Sequence, residues 1–505
     1  MYRLVLYFLL LLLGIAVVFS FLGILAFNPF MLVFSSLLIL GICYGVNLLF
    51  AKMYNAPTNS ESYFITALIL ALIITPPTSF SDVNYLIFII FASALAMASK
   101  YILAIGKKHI FNPAAIAVAI TAITIGQSAT WWIGTASMAP FVLIGGLLIT
   151  RKIKRFDLVL SFVGIFLFSS IIIRAHGISD ITDIVWNLLT TSPLLFFAFI
   201  MLTEPLTTPP TQPLRMSYGA FVGAIFSPMV HVGNIYSTPE LALLVGNIFS
   251  YIVSPKKKLI LKLKEKTKIA EDTYDFAFED STQGTKNPQY KFTPGQYLEW
   301  TLAHEKPDTR GNRRYFTIAS APEEKEIRIG VKFYPESSTF KKALLGMQKD
   351  EVIVASQLAG DFTLPKDQTQ KLCFIAGGIG ITPFESMVND LLEKKETKEH
   401  RDIVMFYSNR TIKDIAYADT FERARKELNM NTIYSLSDEK NIPKDWAGDR
   451  GFITMDTIKN KMPDYQERMF YISGPHSMVE AFEKTLKELG IPKSHIKMDF
   501  FPGFA

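Results

Sequence analysis

The sequence has 505 residues, of which 50% are hydrophobic, a formal net charge of +6 and two cysteines, Cys43 and Cys373. This length suggests roughly three domains of about 150 residues each. Two thiols are too few for a disulfide framework, a cysteine-rich zinc site or a cysteine-ligated iron–sulfur cluster, so we expect no metal site. The basic residues lie mostly beside apolar segments and are not interleaved with aromatic residues, which argues against a surface that binds nucleic acid.

Charged residues are sparse before Pro255 and dense after it, so the average composition hides an apolar half and a polar half. A membrane-spanning helix requires roughly 20 apolar residues, and residues 1–254 hold about ten candidate runs. We expect spans at 4–25, 30–50, 63–75, 83–103, 112–126, 137–150, 157–174, 184–203, 216–230 and 239–253. Runs 63–75 and 112–126 are short, which indicates tilted, broken or re-entrant helices.

The basic residues also predict an orientation. If both ends of the apolar half lie on one side of the membrane, nearly all of its lysines and arginines fall on that side, and Arg174 alone falls on the other. Cytoplasmic loops are rich in Lys and Arg. We therefore expect a multi-pass protein of the inner cell membrane, embedded in the lipid bilayer, with both termini and the whole polar half in the cytoplasm.

Two proline-ended segments suggest an internal repeat. Ile74-Thr75-Pro76-Pro77 follows the third span, and Thr207-Thr208-Pro209-Pro210 follows the eighth. These spans run in opposite directions through the bilayer, so the sequence predicts an inverted repeat with a central binding site. Two unrelated helices that end in proline are the alternative. Glu204, just before the second segment, is either a cation or proton site or a helix-end carboxylate in the headgroup region.

Three motifs of the apolar half carry a family resemblance. Phe111-Asn112-Pro113-Ala114, the stretch 202–209 and the last span with Asn247 resemble the integral flavin-binding subunits of the sodium-pumping NADH:quinone reductase and of the Rnf complex. The resemblance implies a ten-helix inverted-repeat fold that houses FMN or riboflavin. That family usually has Asp in place of Glu204, and it esterifies FMN to a threonine in a loop that is cut short here. The short loop lacks an acidic residue, which argues against covalent FMN at Thr130.

The polar half begins with six strand-like runs, at 259–263, 274–278, 297–301, 315–320, 326–333 and 351–356, and one helix at 340–347. Short turns between strands predict a β-barrel domain over residues 255–366. The stretch Arg314-Tyr315-Phe316-Thr317 places a cation, flat rings and a hydroxyl along one strand. A flavin nucleotide requires this set, because it has a pyrophosphate at one end and a polar-edged ring at the other. Ser338 and Thr339 begin the helix, where hydroxyls and free N–H groups favour an anion.

From residue 367 to residue 505 strands alternate with helices, which predicts a doubly wound α/β domain. Two loops stand at the carboxyl edge of its sheet, where a nucleotide pyrophosphate approaches backbone N–H groups at a helix start. The first loop, after the first strand, contains Gly377, Gly378, Gly380, Thr382 and Pro383. The second loop, after the last predicted strand, contains Ser473, Gly474, Pro475 and Met478.

These motifs together resemble the ferredoxin–NADP reductase superfamily over residues 259–505. The resemblance implies FAD with its ring on Phe316, its pyrophosphate on Arg314 and its reactive nitrogen near Thr317. Ser473 stands where the family has a cysteine near the nicotinamide, so Thr317 and Ser473 are the implied catalytic residues. The aromatic residues Phe500, Phe501 and Phe504 either shield the nicotinamide face of the flavin or pack in the core.

The sequence therefore predicts a multi-domain flavoprotein oxidoreductase: a polytopic α-helical membrane domain, a β-barrel FAD domain and an α/β nucleotide domain. A nicotinamide nucleotide, NAD(P)H, gives a hydride to FAD, and electrons pass to a membrane flavin, a quinone or another electron carrier, with ion transport as a further option. A membrane-anchored NAD(P)H reductase of a soluble carrier and a redox-sensing transporter are the alternatives. Ser408 and Arg410 either hold a 2′-phosphate or form a solvated turn, so NADH and NADPH both remain open.

Overall fold

The computed structural model describes residues 2–54, 60–105, 108–174, 181–227, 230–254, 258–281, 291–308, 311–394 and 401–501. The chain forms two compact units, Met1–Lys257 and Lys258–Ala505. The first unit is helical, and the second contains two six-stranded sheets.

Each predicted span contains helix in the described part of the first unit. The helices are α1 (Tyr2–Phe21), α2 (Pro29–Met53), α3 (Ser60–Ile73), α4 (Val83–Ile102), α5 (Pro113–Ile125), α6 (Ala139–Ile153), α7 (Phe156–Arg174), α8 (Ile181–Thr190), α9 (Leu194–Phe196, continued by a π-helical turn over Phe197–Met201), α10 (Gln212–Ile225) and α11 (Pro239–Val253). Short hairpins join β1 (Ala104–Ile105) to β2 (Lys108–His109) and β3 (His231–Val232) to β4 (Ile235–Tyr236). Among described residues, α1, α2 and α4 are long and apolar enough to cross a membrane.

The predicted span over 184–203 is bent, because the chain turns by 62° between α8 and the segment Leu194–Met201. Pro193 precedes α9 at this break. A proline lacks the N–H that a continuing helix would use, and its ring clashes with the preceding turn. If this bent pair is counted as one span, four helical segments of the described chain satisfy the length and composition of a membrane crossing.

The first sheet of the second unit is antiparallel in every strand pair. Its strands are β5 (Leu259–Ala270), β6 (Thr273–Asp280), β7 (Tyr297–Thr301), β8 (Arg313–Thr317), β9 (Ile327–Lys332) and β10 (Val352–Ala359), in the order β8-β7-β10-β5-β6-β9. The helix α12 (Thr339–Gly346) packs Phe340 into a core that includes Phe276, Phe278 and Trp300. The N–H of Ala319, just after β8, donates to the carbonyl of Arg328 in β9 at 2.8 Å, so the two edges of the sheet approach each other.

The second sheet is parallel and has helices on both faces. Its strands are β11 (Leu372–Gly377), β12 (Ile403–Asn409), β13 (Asn431–Leu436), β14 (Asp449–Arg450), β15 (Met469–Pro475) and β16 (Ile496–Phe501), in the order β14-β13-β12-β11-β15-β16. The helices α13 (Thr382–Glu393) and α14 (Ala418–Glu427) pack on one face, and α15 (Met455–Lys461) and α16 (His476–Glu488) pack on the other. The sequence analysis missed β14, which is two residues long, and β16, which was interpreted as an aromatic tail.

Candidate active site

The β8 strand brings a cation and an aromatic ring to one face of the first sheet. Side chains alternate along a strand, so Arg314 and Phe316 point to the same side, and both meet Phe340 of α12. The Cζ atom of Arg314 lies 5.3 Å from the centroid of the Phe340 ring. The ring centroids of Phe316 and Phe340 are 6.0 Å apart. The predicted phosphate ligand and the predicted stacking ring are therefore joined through a third residue that the sequence analysis did not single out.

The start of α12 lies beside the same arginine. The Ser338 hydroxyl caps the helix by accepting the N–H of Lys341 at 3.3 Å. The N–H of Thr339 donates to Asp308 Oδ2 at 3.1 Å, and the N–H of Asp308 donates to the Thr339 hydroxyl at 3.0 Å. An Nη atom of Arg314 lies 3.7 Å from the same carboxylate. Asp308 thus places a negative charge where we expect the anionic pyrophosphate, which shows that this helix start accepts an anion.

The opposite face of β8 carries Tyr315 and Thr317. The Tyr315 hydroxyl donates to Glu299 Oε2 at 2.8 Å. Its ring meets Tyr297 edge to face at a centroid distance of 5.6 Å. Thr317 is buried at the end of the strand, opposite Tyr297 in the pairing register. Tyr315 therefore belongs to a cluster different from that of Arg314 and Phe316, because adjacent strand residues face opposite ways.

The two predicted nucleotide loops contact each other at the carboxyl edge of the parallel sheet. A Cβ atom on Gly377 would lie 2.2 Å from Met478 Sδ, and one on Gly380 would lie 2.3 Å from the Ser473 carbonyl oxygen. A Cβ on Gly474 would lie 3.2 Å from the Met478 side chain. Only glycine fits the first two positions without a shift of their neighbours. Pro475 ends β15 directly before α16.

One side of this loop pair is open. Gly378 has φ +52°, and nothing lies within 4 Å of the position that its Cβ would take, so a ligand can approach the backbone there. The Ser473 hydroxyl is buried, and it has no hydrogen-bond partner among the described residues. Thr382 and Pro383 form the first turn of α13, directly after this opening. An open glycine turn, an unused hydroxyl and a helix start fit a dinucleotide.

A group of charged and phenolic residues, here called the junction cluster, joins the two sheets of this unit. Its members are Asp275, Glu324, Arg328, Glu385 and Tyr417. Arg328 of β9 approaches Glu324 at 3.0 Å, Glu385 of α13 at 3.2 Å and Asp275 of β6 at 3.6 Å. The Tyr417 hydroxyl donates to Asp275 at 2.6 Å. The sequence analysis missed this cluster, although a glutamate inside the buried apolar run of α13 was a signal that a partner must lie opposite.

Burial governs the protonation of the junction cluster. Burial raises the pKa of Glu385 to about 7, and the nearby Arg328 guanidinium opposes this rise. The carboxyl pKa values of Asp275 and Glu324 are raised for the same reason and are also opposed by Arg328. Glu385 is therefore the member of the cluster whose proton occupancy changes near neutral pH.

The remaining residues singled out in the sequence are Arg410 and the aromatic residues near the C-terminal end of the sequence. Arg410 follows β12 and is exposed, with an Nη atom 3.9 Å from Asp438 Oδ2, so its charge already has an acidic neighbour. Phe500 and Phe501 belong to β16, where their backbone pairs with that of Gly474 and Pro475. The predicted ligand Phe504 lies outside the described residues. In the described part of the chain, no group of three or more His, Cys, Asp or Glu side chains is placed to hold a metal ion.

In the helical unit, the motifs that carried the first resemblance form one polar network. The Asn112 side chain donates to Glu204 Oε2 at 2.9 Å, and the Asn112 N–H donates to Asn247 Oδ1 at 2.8 Å. Asn247 in turn donates to the Tyr218 hydroxyl at 3.1 Å. Residues far apart in the sequence therefore meet, and Glu204 is a hydrogen-bonded carboxylate. Thr130 is exposed, and its hydroxyl donates to the Ile73 carbonyl at 3.2 Å.

Comparison with known proteins gives two family matches. Residues 133–257 match the NQR2, RnfD, RnfE family, and residues 374–484 match the oxidoreductase NAD-binding domain. A flavohemoprotein of Bacillus cereus is 28% identical over 215 residues, which cover 42% of this chain and 53% of that protein. NADH-cytochrome b5 reductase 1 of Ajellomyces capsulatus is 26% identical over 260 residues, covering 49% of this chain and 81% of that protein.

Among solved structures, the flavohem-like FAD/NAD binding domain of nitric oxide dioxygenase from Vibrio cholerae O1 biovar El Tor matches with a TM-score of 0.42 and 18% identity, over 48% of this chain and 98% of that one. The chain spans about half the length of the flavohemoproteins that it matches, from 50% to 53% of each. Both resemblances inferred from the sequence are confirmed: one polypeptide contains a segment that matches the NQR2, RnfD, RnfE family and a segment that matches an oxidoreductase NAD-binding domain, with similarity to flavohemoproteins and NADH-cytochrome b5 reductases.

Proposed function

We propose that this protein is a membrane-bound flavoprotein oxidoreductase that takes a hydride from NAD(P)H and passes electrons to an acceptor in the membrane. The observation that carries the proposal is the meeting of Gly377 and Gly380 with Ser473 and Met478 at one sheet edge. This edge lies at the carboxyl ends of the parallel strands, where α/β nucleotide-binding domains bind their ligands. The matched family and the open backbone at Gly378 support a nicotinamide nucleotide as the substrate.

The residues around β8 suit FAD as the cofactor. Arg314 and Thr339 would hold the pyrophosphate, because they already contact the Asp308 carboxylate, and Ser338 would join them as the residue that caps the same helix start. Phe316 would support the flavin ring, and Thr317 would offer a hydroxyl and a backbone N–H at its polar edge. FAD, when bound, supplies the hydride acceptor and releases electrons one at a time. The protein binds, orients and shields the reacting atoms.

The nucleotide loops have a separate task. Gly377, Gly378 and Gly380 let the backbone approach the NAD(P)H pyrophosphate, with Thr382 and Pro383 at the start of the receiving helix. Ser473 has a buried hydroxyl without a described partner, so it is suited to hydrogen-bond the nicotinamide amide. Gly474, Pro475 and Met478 shape the pocket behind it.

The membrane acceptor is proposed from the fusion itself. A single chain contains both modules, so electrons leaving FAD have an acceptor domain in the same polypeptide. We propose a ten-helix inverted repeat over residues 1–254 that holds FMN or riboflavin, and a reductase half of a β-barrel (255–366) and an α/β domain (367–505) on the cytoplasmic side of the inner cell membrane. A quinone or another membrane carrier would receive the electrons next.

The first test is a cofactor inventory of the purified full-length protein. Acid extraction and chromatography should release FAD and a second flavin, and mass analysis should show no flavin attached to the polypeptide. Addition of NADH or NADPH should bleach both flavins. FAD as the sole flavin would contradict the membrane-flavin step and favour an anchored reductase of a soluble carrier. Solute flux that is independent of NAD(P)H oxidation would favour a redox-sensing transporter.

Ion coupling is a second candidate, favoured by the Glu204 network. Glu204 is bonded to Asn112 at 2.9 Å and lies 3.6 Å from His109 Nε2, so a carboxylate with polar neighbours sits beside the bent helix pair. Intramembrane carboxylates commonly bind cations or relay protons. Proteoliposomes supplied with NADH should develop a sodium- or proton-linked potential during turnover. Turnover without either potential would exclude coupling.

A further inference from the structure

The junction cluster connects the two proposed binding sites through very few residues. Arg328 is tied by its backbone to the end of the flavin strand: its carbonyl accepts the N–H of Ala319 at 2.8 Å, and its N–H donates to the Ser320 hydroxyl at 3.1 Å. These residues follow Thr317 by two and three positions. Any movement of Arg328 is therefore passed to the strand on which the flavin ring would rest.

The other end of the connection lies on the nucleotide helix. The Arg328 guanidinium donates to Glu385 Oε1 at 3.2 Å, and Glu385 stands two residues after Pro383 in the first turn of α13. A second link runs in parallel, because the Ser386 hydroxyl donates to the Ser320 carbonyl at 2.7 Å. Both links join the first turns of α13 to the segments beside the end of β8, so they restrain the separation of the nucleotide helix from the flavin strand.

Stability alone does not account for this arrangement. Glu385 is 1% exposed, and its Oε2 atom has no hydrogen-bond partner among the described residues. Transfer of a carboxylate from water to such a place is costly, and replacing a buried ion pair by apolar residues is often neutral or stabilising. Asn389 and Thr420 both direct hydrogen bonds to Oε1, at 2.8 and 3.1 Å, so the carboxylate is oriented by several groups rather than merely tolerated.

We propose that Arg328 and Glu385 are positioning residues that fix the nucleotide helix against the flavin strand and so set the distance over which the hydride is transferred. The proposal rests on the proposed function, since it concerns the geometry between the NAD(P)H and FAD sites. Hydride transfer needs its reacting atoms about 3 to 3.5 Å apart, and a misplacement of ~1 Å costs on the order of 100-fold in rate. Neither side chain needs to touch the substrate to have this effect.

The test uses the full-length protein in detergent, with FAD bound, mixed rapidly with NADH under anaerobic conditions at a pH well above the Glu385 pKa of about 7, where this carboxyl is charged in the wild type. Glu385→Gln keeps the shape of the side chain and removes its charge. We expect flavin reduction at saturating NADH to slow by about 10- to 100-fold, with bound FAD and the apparent Kd for NADH changed by less than about threefold. The long-wavelength charge-transfer absorbance of the nicotinamide–flavin pair should also weaken, because it reports the overlap of the two rings.

A graded variant and a matched control complete the experiment. Glu385→Asp retains the charge but shortens the reach to Arg328, so its rate should fall between those of wild type and Glu385→Gln. Asp390→Asn alters another buried carboxylate of α13, which pairs with Lys394, four residues later, at 2.9 Å. Because this pair does not reach the flavin strand, the variant should keep a rate near that of wild type.

Three results would overturn the proposal. They are wild-type rates in Glu385→Gln, an equal slowing in Asp390→Asn, and a loss of rate that is explained entirely by lost FAD or weaker NADH binding. If wild-type protein is reduced by neither NADH nor NADPH, the proposed function itself fails, and the positioning role fails with it.

Discussion

Met478 Sδ occupies the space beside Gly377 so closely that a Cβ on the glycine would lie 2.2 Å from it. The two residues come from different elements, since Gly377 ends β11 and Met478 lies in the first turn of α16. Their contact holds the first nucleotide loop against the second. A Cβ at Gly377 would clash with a flexible thioether rather than with backbone, so a second substitution at Met478 can remove the clash.

This contact yields the first prediction. Gly377→Ala should weaken NADH binding and destabilise the α/β domain by about 1–3 kcal/mol, because overpacking forces side chains off their rotamers. Met478→Ala in the same chain should recover part of both losses. Gly380→Ala meets the backbone carbonyl of Ser473 instead, so Met478→Ala should not rescue it. The four variants are Gly377→Ala and Gly380→Ala, each with and without Met478→Ala, and they are compared by NADH titration and thermal unfolding. If Met478→Ala restores Gly380→Ala as well as it restores Gly377→Ala, the prediction is wrong.

The second prediction concerns Arg314. Arg314→Ala should reduce FAD affinity by about 10- to 100-fold, since hydrogen bonds to a charged group contribute about 1.5–3 kcal/mol. Arg314→Lys should recover only part of this affinity, because a single ammonium cannot reproduce the planar fork of a guanidinium. Arg410→Ala, which removes an exposed arginine of the α/β domain, is the control. FAD content after dialysis is the measurement, and full FAD retention in Arg314→Ala would contradict the assignment.

The third prediction concerns the carboxylate at the start of α12. Asp308 accepts the Thr339 N–H at 3.1 Å and lies 3.7 Å from Arg314, so it competes with a pyrophosphate for the same positive groups. Asp308→Asn keeps an acceptor of the same shape and removes the charge. We expect FAD to bind about 3- to 10-fold more tightly, because like charges at one site repel. Weaker FAD binding in this variant would mean that Asp308 instead holds Arg314 in place.

The sequence was sufficient for some of these features and not for others. The glycine loops and the Arg314–Thr317 strand were predictable, because turn chemistry and strand alternation are local properties. Asp308 and Glu385 were missed, since each acquires its role from a partner brought near by the fold. Arg328 and Glu385 are 57 positions apart, and no spacing rule links a β-strand of one sheet to a helix of another.

The same reasoning explains the errors in the elements. β5 continues to Ala270, well beyond the predicted end at residue 263, because its outer face carries exposed Lys and Glu side chains that reduced the apolar signal. β16 was missed because its paired residues in β15 lie 26 positions earlier and its own composition, Ile496–Phe501, also fits a packed tail. Length and hydrophobicity located the apolar helices, but composition did not predict the bend at Pro193 in the segment 184–203.

The fourth prediction is a pH dependence. The folded-state pKa of Glu385, raised by burial to about 7, is above its unfolded value of 4.5. The folded protein therefore binds this proton more tightly, and stability decreases as pH rises from 4.5 to 7, by about 3 kcal/mol in total. Glu385→Gln should abolish this part of the decrease. Thermal unfolding, monitored by the release of FAD, should give similar melting temperatures for both proteins near pH 4.5 and a higher melting temperature for the variant at pH 8. Parallel curves would contradict the raised pKa.

The fifth prediction concerns the polar network of the helical unit. Glu204 accepts hydrogen bonds from Asn112 and Thr207, at 2.9 and 3.3 Å, so its removal leaves buried donors without an acceptor. Glu204→Ala should destabilise the detergent-solubilised protein by about 1–3 kcal/mol. Glu204→Gln retains a hydrogen-bond acceptor, so it should lose less than half as much stability as Glu204→Ala.

Thr130→Ala is the control for this series, because Thr130 is exposed and lies outside the network. Thermal aggregation monitored by size-exclusion chromatography is the measurement. A Glu204→Gln protein as unstable as Glu204→Ala would show that the charge of Glu204, rather than its hydrogen bonds, holds Asn112 and α11 together, and this outcome would strengthen the case for a bound cation at that carboxylate.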